Sequence, residues 1–346
     1  MGLGGLRTTP LKRARELAAT YRAIARSGGD PIADRRKELT PVPTFREAAE
    51  RVHGDSKASW RNAKHGGQWL STLQTYAFPT IGDMRVDLVG TPDVLKILRP
   101  IWLSKPETAR RVRQRIKAVL DWAKTAGHRE GDNPAADVTR GLPAQPQRDG
   151  HFSALPYAQV PDFIQKLRES DAGTTVKLAL EFLVLTACRT GEVIGARWEE
   201  IDLDAALWTI PGPRMKRGKE HRVPLSPRCV EILMEAKQLG GKHVFPGRNQ
   251  DEPLSNMAFL MTLRRMGVDT TSHGFRSTFR DWTAEETNTP REVAEMALAH
   301  AIGNAVEAAY RRGDLFEKRR KLMNAWASFA ASDSQSKVVR LQAKAR

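Results

Sequence analysis

A chain of 346 residues with 56 Lys plus Arg against 40 Asp plus Glu carries a formal charge of +16 and has a pI near 10.1, which points to a polyanionic partner. Its apolar runs stop well short of the roughly 18 residues of a membrane helix, and MGLGGLRTTPLKRAREL lacks the apolar core of a secretory signal, so a cytoplasmic location away from membranes is expected. Cys188 and Cys229 stand apart with no C-x-x-C or C-x-x-H companion, so neither a zinc finger nor a disulfide framework is indicated.

The first element is a helix over residues 9–27, with a helical period through Leu11, Ala14, Leu17, Ala18, Tyr21 and Ile24 and the stop SGGD. The stretch ADRRKELTPVPT reads as a linker, since its charge and Pro content offer little to bury. From Thr44 a helical region follows: TFREAAERV, WRNAKHGGQWLSTLQTY, TPDVLKILRPIW and KPETARRVRQRIKAVLDWAKTAG. In the last of these Val112, Ile116, Val119, Leu120 and Ala123 form an apolar stripe, and Arg110, Arg113 and Lys117 share another face. With few acids apparent on that face, it is a candidate surface for tracking DNA phosphates. Residues 129–150, rich in Gly, Pro and Asp and without an apolar period, read as the linker between two domains.

Beyond it, YAQVPDFIQKLRES and TTVKLALEFLVLTA read as helices, the second apolar nearly all round and therefore a core helix. The good strand signals, ALWTIPG and EHRVPLS, flank PRMKRGK, where Gly218 offers a turn, and make a small hairpin. Helices resume at PRCVEILMEAKQL, NMAFLMTLRRMG, SHGFRSTFRDW, TPREVAEMALAH and NAVEAAYRRG, and the tail over 331–346 is polar and basic.

Arg189 in TACRTGE lies at a corner between two helices, where pairing with Glu192 is the plainest role for it. His273 and Arg276 are three residues apart and leave one helix face, at a start that Thr271 or Ser272 can cap. Donors set at a helix N-terminus, with its partial positive charge, converge most naturally on a phosphate. His300 closes the helix that Pro290 and Glu292 begin, and Tyr310 sits among alanines, arginines and an acid, an unusual setting for a core residue.

The ordered set TACRTGE, the lysine of RMKRGKEHRVPLS, HGFR, LAH and NAVEAAYRRGD resembles the tyrosine recombinases, and its wording is similar to integrases of satellite phages and genomic islands. The resemblance covers residues 44 to 330. It implies a mostly α fold with a small β-sheet, built as a two-domain DNA clamp with a helical core-binding domain over 44–128 and a catalytic domain over 151–330. It implies that residues 1–40 are the last part of an arm-binding domain whose strands are missing. It also implies a catalytic set of Arg189, Lys216, His273, Arg276, His300 and the nucleophile Tyr310, with Lys216 preferred over Lys219 by counting back from VPLS.

The implied reaction is site-specific cleavage and rejoining of double-stranded DNA at attachment sites through a 3′-phosphotyrosine, integrating or excising a mobile element without metal or cofactor. The implied partners are further copies of the chain, a tetramer on synapsed DNA, and accessory DNA-bending or directionality proteins. Two alternatives share these residues: a topoisomerase-like relaxation activity of the type IB kind, and a silent DNA-binding protein descended from a recombinase. A metallonuclease would need clustered ligand spacing that the sequence lacks.

Overall fold

The computed structural model describes residues 2–5, 7–33, 35, 41–57, 60, 63–145, 153–300 and 313–332. The expected helix NAVEAAYRRG, with Tyr310, and the basic tail beyond residue 332 lie outside them. The chain divides into two compact units, Met1–Gln147 and Arg148–Arg346.

The first unit is helical. Helix α1 (Leu11–Arg26) buries only Tyr21. It is followed by α2 (Phe45–Lys57), α3 (Ala63–Tyr76), the single turn α4 (Phe78–Ile81), α5 (Thr91–Trp102) and α6 (Pro106–Thr125). Proline in the first turn opens α5 and α6, where a missing N–H costs nothing. The stripe Val112, Ile116, Val119, Leu120 and Ala123 is fully buried against Phe45, Leu73, Val94 and Leu98.

Residues 129–145, expected as a linker, belong instead to this unit. Ala135 and Val138 enter its core. The Asn133 amide donates to the Lys117 carbonyl and to Asp121, both at 2.8 Å. The Trp102 indole donates to the Pro143 carbonyl at 2.7 Å, and Gln145 donates back to the Trp102 carbonyl at 2.8 Å. The composition of the stretch is loop-like because its order comes from side chains bonding to main chain, which leaves no periodic pattern.

The second unit holds α7 (Val160–Glu169), α8 (Thr174–Thr186), the short α9 (Thr190–Ile194), the strands β1 (Ile201–Asp202), β2 (Leu207–Ile210) and β3 (His221–Pro224), then α10 (Pro227–Lys237), α11 (Ala258–Arg265), α12 (Gly274–Glu286), α13 (Arg291–Ala297) and α14 (Phe316–Ala330). The strands form one antiparallel sheet in the order β1-β2-β3, with Ile210 opposite His221. The hairpin was expected; the third strand β1, two residues long, is too short to leave an alternating pattern. Helix α14 was also not anticipated, yet Trp326 on it is fully buried and donates to the Val184 carbonyl of α8 at 2.9 Å.

Helix α8 runs through the centre of this unit, with every residue from Leu178 to Thr186 buried. Glu181 among them is charged, because the Arg168 and Arg228 guanidiniums hydrogen-bond it and outweigh the effect of burial, holding its carboxyl below the usual range. The helix ends at Ala187, whose left-handed backbone (φ 50°) turns the chain sharply into Cys188 and Arg189.

Candidate active site

Four of the expected residues meet in the second unit. Arg189 follows the turn at Ala187, and the Glu192 carboxylate holds it twice, accepting from its backbone N–H and from Nη1, each at 2.8 Å. Nη2 reaches the Ala299 carbonyl at 3.5 Å. The pairing with Glu192 and membership of a cationic cluster are therefore both true of Arg189. Helix α12 sits close by, since Ser272 Oγ and Thr190 Oγ1 are 2.8 Å apart.

Neither candidate cap for α12 takes that place: His273 is the N-cap residue and no side chain caps the helix, although Thr271 Oγ1, two positions before it, accepts from the Gly274 N–H at 3.1 Å. The glycine of HGFR is needed here, because a Cβ at Gly274 would lie 2.3 Å from the Ser153 carbonyl oxygen and 2.4 Å from Thr270 Oγ1. Only a residue without a side chain lets α12 start so close to the segment entering the unit. Phe275 and Phe279 fill the core on the far side, leaving Arg276 on the site-facing side.

Arg276 is 3% exposed. Its Nη1 donates to the Ala187 carbonyl, and its Nη2 donates to the Leu298 carbonyl at 2.5 Å and faces His300 Nε2 at 3.1 Å. Its buried Nε has no hydrogen-bond partner among the described residues. Burial first, and then the positive charge of Arg189, push the Arg276 guanidinium below its ordinary range.

Helix α13 stops at Ala297, short of His300. Ala299 takes a left-handed turn (φ 50°), and His300 closes it by donating its backbone N–H to the Glu295 carbonyl at 2.9 Å. The expected capping at the start of α13 differs too: Pro290 occupies the N-cap position and no side chain caps the helix. The His300 ring lies between Glu295 Oε2, 2.7 Å from Nδ1, and Arg276.

Both histidines are held below the usual imidazole range. Burial acts first on each; Arg276 and Arg189 add to it at His273, and Lys216 and His300 also contribute there. That influence places Lys216 within electrostatic reach of His273. Lys216 itself is exposed, in the loop between β2 and β3. The loop is pegged just before it: Met215 is buried, and Arg214 pairs with Glu200 and donates to the Glu192 carbonyl at 2.6 Å. Gly218 supplies the expected turn with φ 69°.

This constellation sits in a chain whose residues 45–140 match the phage integrase central domain and whose residues 154–315 match the phage integrase family. Prophage integrase IntZ of Escherichia coli K12 is 32% identical over 326 residues, covering 92% of this chain and 80% of that protein. The chain belongs to the phage integrase family of tyrosine recombinases. It is a site-specific integrase, and the integrase of Enterobacteria phage P4 is another relative, 30% identical over 346 residues, or 93% of this chain and 78% of that one. A lambda integrase dimer bound to a COC′ core site shares the fold with a TM-score of 0.63 at 19% identity, over 91% of this chain and 89% of that one.

Three side chains beside the integrase site, a carboxylate, a guanidinium and an imidazole, were not singled out in the sequence as parts of it. Glu295 lies five residues before His300 and meets its side chain only because the chain reverses at Ala299. Arg214 looks like one more basic residue of a hairpin. His221, at the start of β3, is pushed down to about 4 by burial and by Arg319, and its ring engages the Ala297 main chain.

In the first unit the face of Arg110, Arg113 and Lys117 is not short of acids. Arg110 lies 3.8 Å from Glu107 and donates to Gln145, and Lys117 pairs with Asp121 at 2.6 Å. Arg113 is half-buried and donates to the Ala136 carbonyl at 3.0 Å, so its role there is to hold the 129–145 segment. The compensating acids were missed because they stand one turn away along α6, on either side of the basic positions.

Proposed function

We propose that the cluster of Arg189, His273, Arg276 and His300 receives the scissile phosphate of an attachment site, and that Tyr310 attacks it. The observation that carries this reading is the convergence of three further cationic or donor side chains, Arg189, His273 and His300, on the buried Arg276 guanidinium, whose Nε lacks a partner among the described residues. Repulsion between buried like charges is tolerated where an anion is to be bound, and planar guanidiniums match the oxygens of a phosphodiester. Arg189 and Arg276 would stabilise the charge that grows on the non-bridging oxygens as the phosphorus becomes pentacoordinate.

His273, neutral at pH 7, is suited to accept the Tyr310 proton, which a phenol with an ordinary pKa near 10 must lose to become a nucleophile. Attack forms a bond from the tyrosine oxygen to phosphorus and breaks the bond to the 5′-oxygen. That oxygen takes a proton from Lys216, whose exposed ammonium stands within reach of the cluster. The 3′-phosphotyrosine keeps the bond energy, so a 5′-hydroxyl of a second duplex can reverse the step without an external energy source. Lambda integrase has been seen as a dimer on a core site and as a tetramer on a Holliday junction, and we extend duplex binding and assembly on DNA to this chain. Arg110 and Lys117 would contribute phosphate contacts from the first unit.

The test is Tyr310→Phe, which keeps the ring and removes the nucleophile. The variant should bind attachment-site DNA like the native protein and form no covalent complex stable to boiling in detergent. An adduct that persists in this variant assigns the nucleophile elsewhere.

A further inference from the structure

The His300 ring is held from both sides, and the two contacts fix where its protons lie. Arg276 Nη2 can only donate, so the His300 Nε2 that faces it at 3.1 Å presents its lone pair. Glu295 Oε2, 2.7 Å from Nδ1, can only accept while ionised, so Nδ1 carries the proton. Glu295 is ionised because His300 and Arg280, whose Nε donates to Oε1 at 3.0 Å, hold its carboxyl below the usual range against burial. The carboxylate is itself mostly covered, its side chain 14% exposed.

In this state His300 cannot donate to a phosphate oxygen, because the nitrogen nearest Arg276 has no proton. Two routes could supply one. The neutral ring could move its proton from Nδ1 to Nε2, but this would set the Nδ1 lone pair against the Glu295 carboxylate at hydrogen-bond distance. The other route is to add a proton at Nε2 and keep the one at Nδ1. The resulting imidazolium is paired with Glu295 on one side and with a phosphate on the other.

We propose that Glu295 is a positioning residue that forbids the Nε2–H neutral tautomer of His300, so that the ring becomes a donor to the scissile phosphate only by taking up one proton from solvent. The inference rests on the cluster being the phosphate site. Proton balance is simple: one proton enters at Nε2 as the phosphate binds and leaves when the phosphate leaves, while Arg276 shifts its Nη2–H from the imidazole to the phosphate.

The charged groups facing the ring set the sign of the effect. Arg276 on α12 and Arg189 beyond α8 oppose a positive charge on His300, His273 just before α12 does so only when it is itself protonated, and Glu295 on α13 favours it. Arg280 and Arg291, 3.0 and 4.0 Å from Glu295, weaken that support. Without an anion the cations prevail and the ring stays neutral. A bound phosphate cancels their field, and Glu295 then stabilises the imidazolium. The native enzyme should therefore lose cleavage rate as pH rises, on a limb that reports proton uptake at His300.

The experiment uses the full chain with nitrogen-15 histidine, with His300 assigned by loss of its signals in His300→Gln, and orthovanadate with nicked attachment-site DNA as the phosphate mimic. Free protein should show protonated Nδ1 and unprotonated Nε2, and addition of the mimic should protonate both. A free ring protonated at Nε2, or a complex with neutral Nε2–H, overturns the role of Glu295 even if the mimic clearly binds beside His300. Signals from His300 that ignore the mimic altogether refute the phosphate-site reading, and this inference with it.

Glu295→Gln adds a functional arm. A glutamine amide can donate to Nδ1 and so permits the neutral Nε2–H ring, and the alkaline limb of the cleavage profile should flatten. A profile superimposable on that of the native protein, from a variant that folds and binds DNA, would overturn the proposal. A purely structural role for Glu295 would lower the rate equally at every pH.

Discussion

Each unit anchors an arginine on main-chain carbonyls, the half-buried Arg129 in the first and the buried Arg276 in the second, and the two look alike until their neighbours are compared. In the first, Arg129 Nη1 donates to the carbonyls of Val86 and Val89 at 2.7 and 2.8 Å, and its Nε is a buried donor without a partner among the described residues. In the second, Arg276 also donates to main-chain carbonyls and also leaves Nε without one. Carbonyl anchoring and an orphan N–H are therefore not by themselves signs of a binding site. What differs is the charge around each. The nearby charge on Arg129 is Asp87, which favours the guanidinium, whereas Arg276 has Arg189 against it, with the more weakly acting Glu192 and Glu295 in its favour, and the two histidines of the site within its field. A folded protein tolerates clustered cations when an anion arrives to offset them, and this imbalance is what the proposed phosphate site has and the peg at Arg129 lacks.

The strongest way to break that comparison is the same substitution in both places. Arg276→Lys keeps a charge and loses the planar fork, and cleavage by DNA-bound protein should fall by roughly 10²- to 10³-fold. Arg129→Lys should leave the cleavage rate per folded molecule unchanged and instead destabilise the first unit by about 1–3 kcal/mol, read from denaturant midpoints, as carbonyls lose their donors. Equal loss of chemistry in both variants would show that the charge environment is not the deciding difference.

Lys216 sharpens the picture from the exposed side of the site. Lys216→Ala should slow cleavage by about 10²-fold, the range expected for a general acid. A substrate whose 5′-bridging oxygen is replaced by sulfur should recover most of the rate, since a thiolate departs without a proton. A variant that is slow on both substrates would assign Lys216 to DNA contact rather than to proton donation.

A smaller effect follows from His221. Its folded-state pKa, about 4, lies below the ordinary 6.5, so the neutral ring contributes stability that is complete above pH 6.5 and is lost as pH falls from there toward 4. His273 and His300 are lowered as well and add to the same loss. Unfolding midpoints of the native protein should drop across this window, and His221→Gln should reduce the drop without abolishing it. A variant that is as acid-sensitive as the native chain would remove His221 from the balance.

How much of this could be read in advance depended on whether chemistry followed the chain. The helices α5 and α6 were legible because their apolar periods are local, and α8 because its run is apolar nearly all round. The spacing of His273 and Arg276 announced a shared face for the same reason. Glu295 and His221 were not legible, because each joins the site through a chain reversal or across a strand. Residues 129–145 misled for a related reason: Asn133, Arg129 and Gln145 order that stretch by bonding to distant carbonyls, and no periodic pattern records such bonds.

The basic face of α6 gives the smallest effect and the most direct check on the idea that partners decide what a cation is for. Arg110 and Lys117 are each about half exposed and paired with an acid one turn away, interactions worth well under ~1 kcal/mol at a surface, so a DNA phosphate can displace either acid. Arg113 is half-buried, and two carbonyls accept from its Nη1. Log-log plots of DNA affinity against salt should therefore become shallower by about 0.9 for each of Arg110→Ala and Lys117→Ala if each neutralises one phosphate. Arg113→Ala should leave that slope unchanged and lower the stability of the first unit, as Ala135 and Ala136 lose the donor that holds their segment. If instead Arg113→Ala changes the slope while stability stays constant, its side chain leaves those carbonyls when DNA binds. The face would then act as one three-residue phosphate contact, as its sequence spacing first implied.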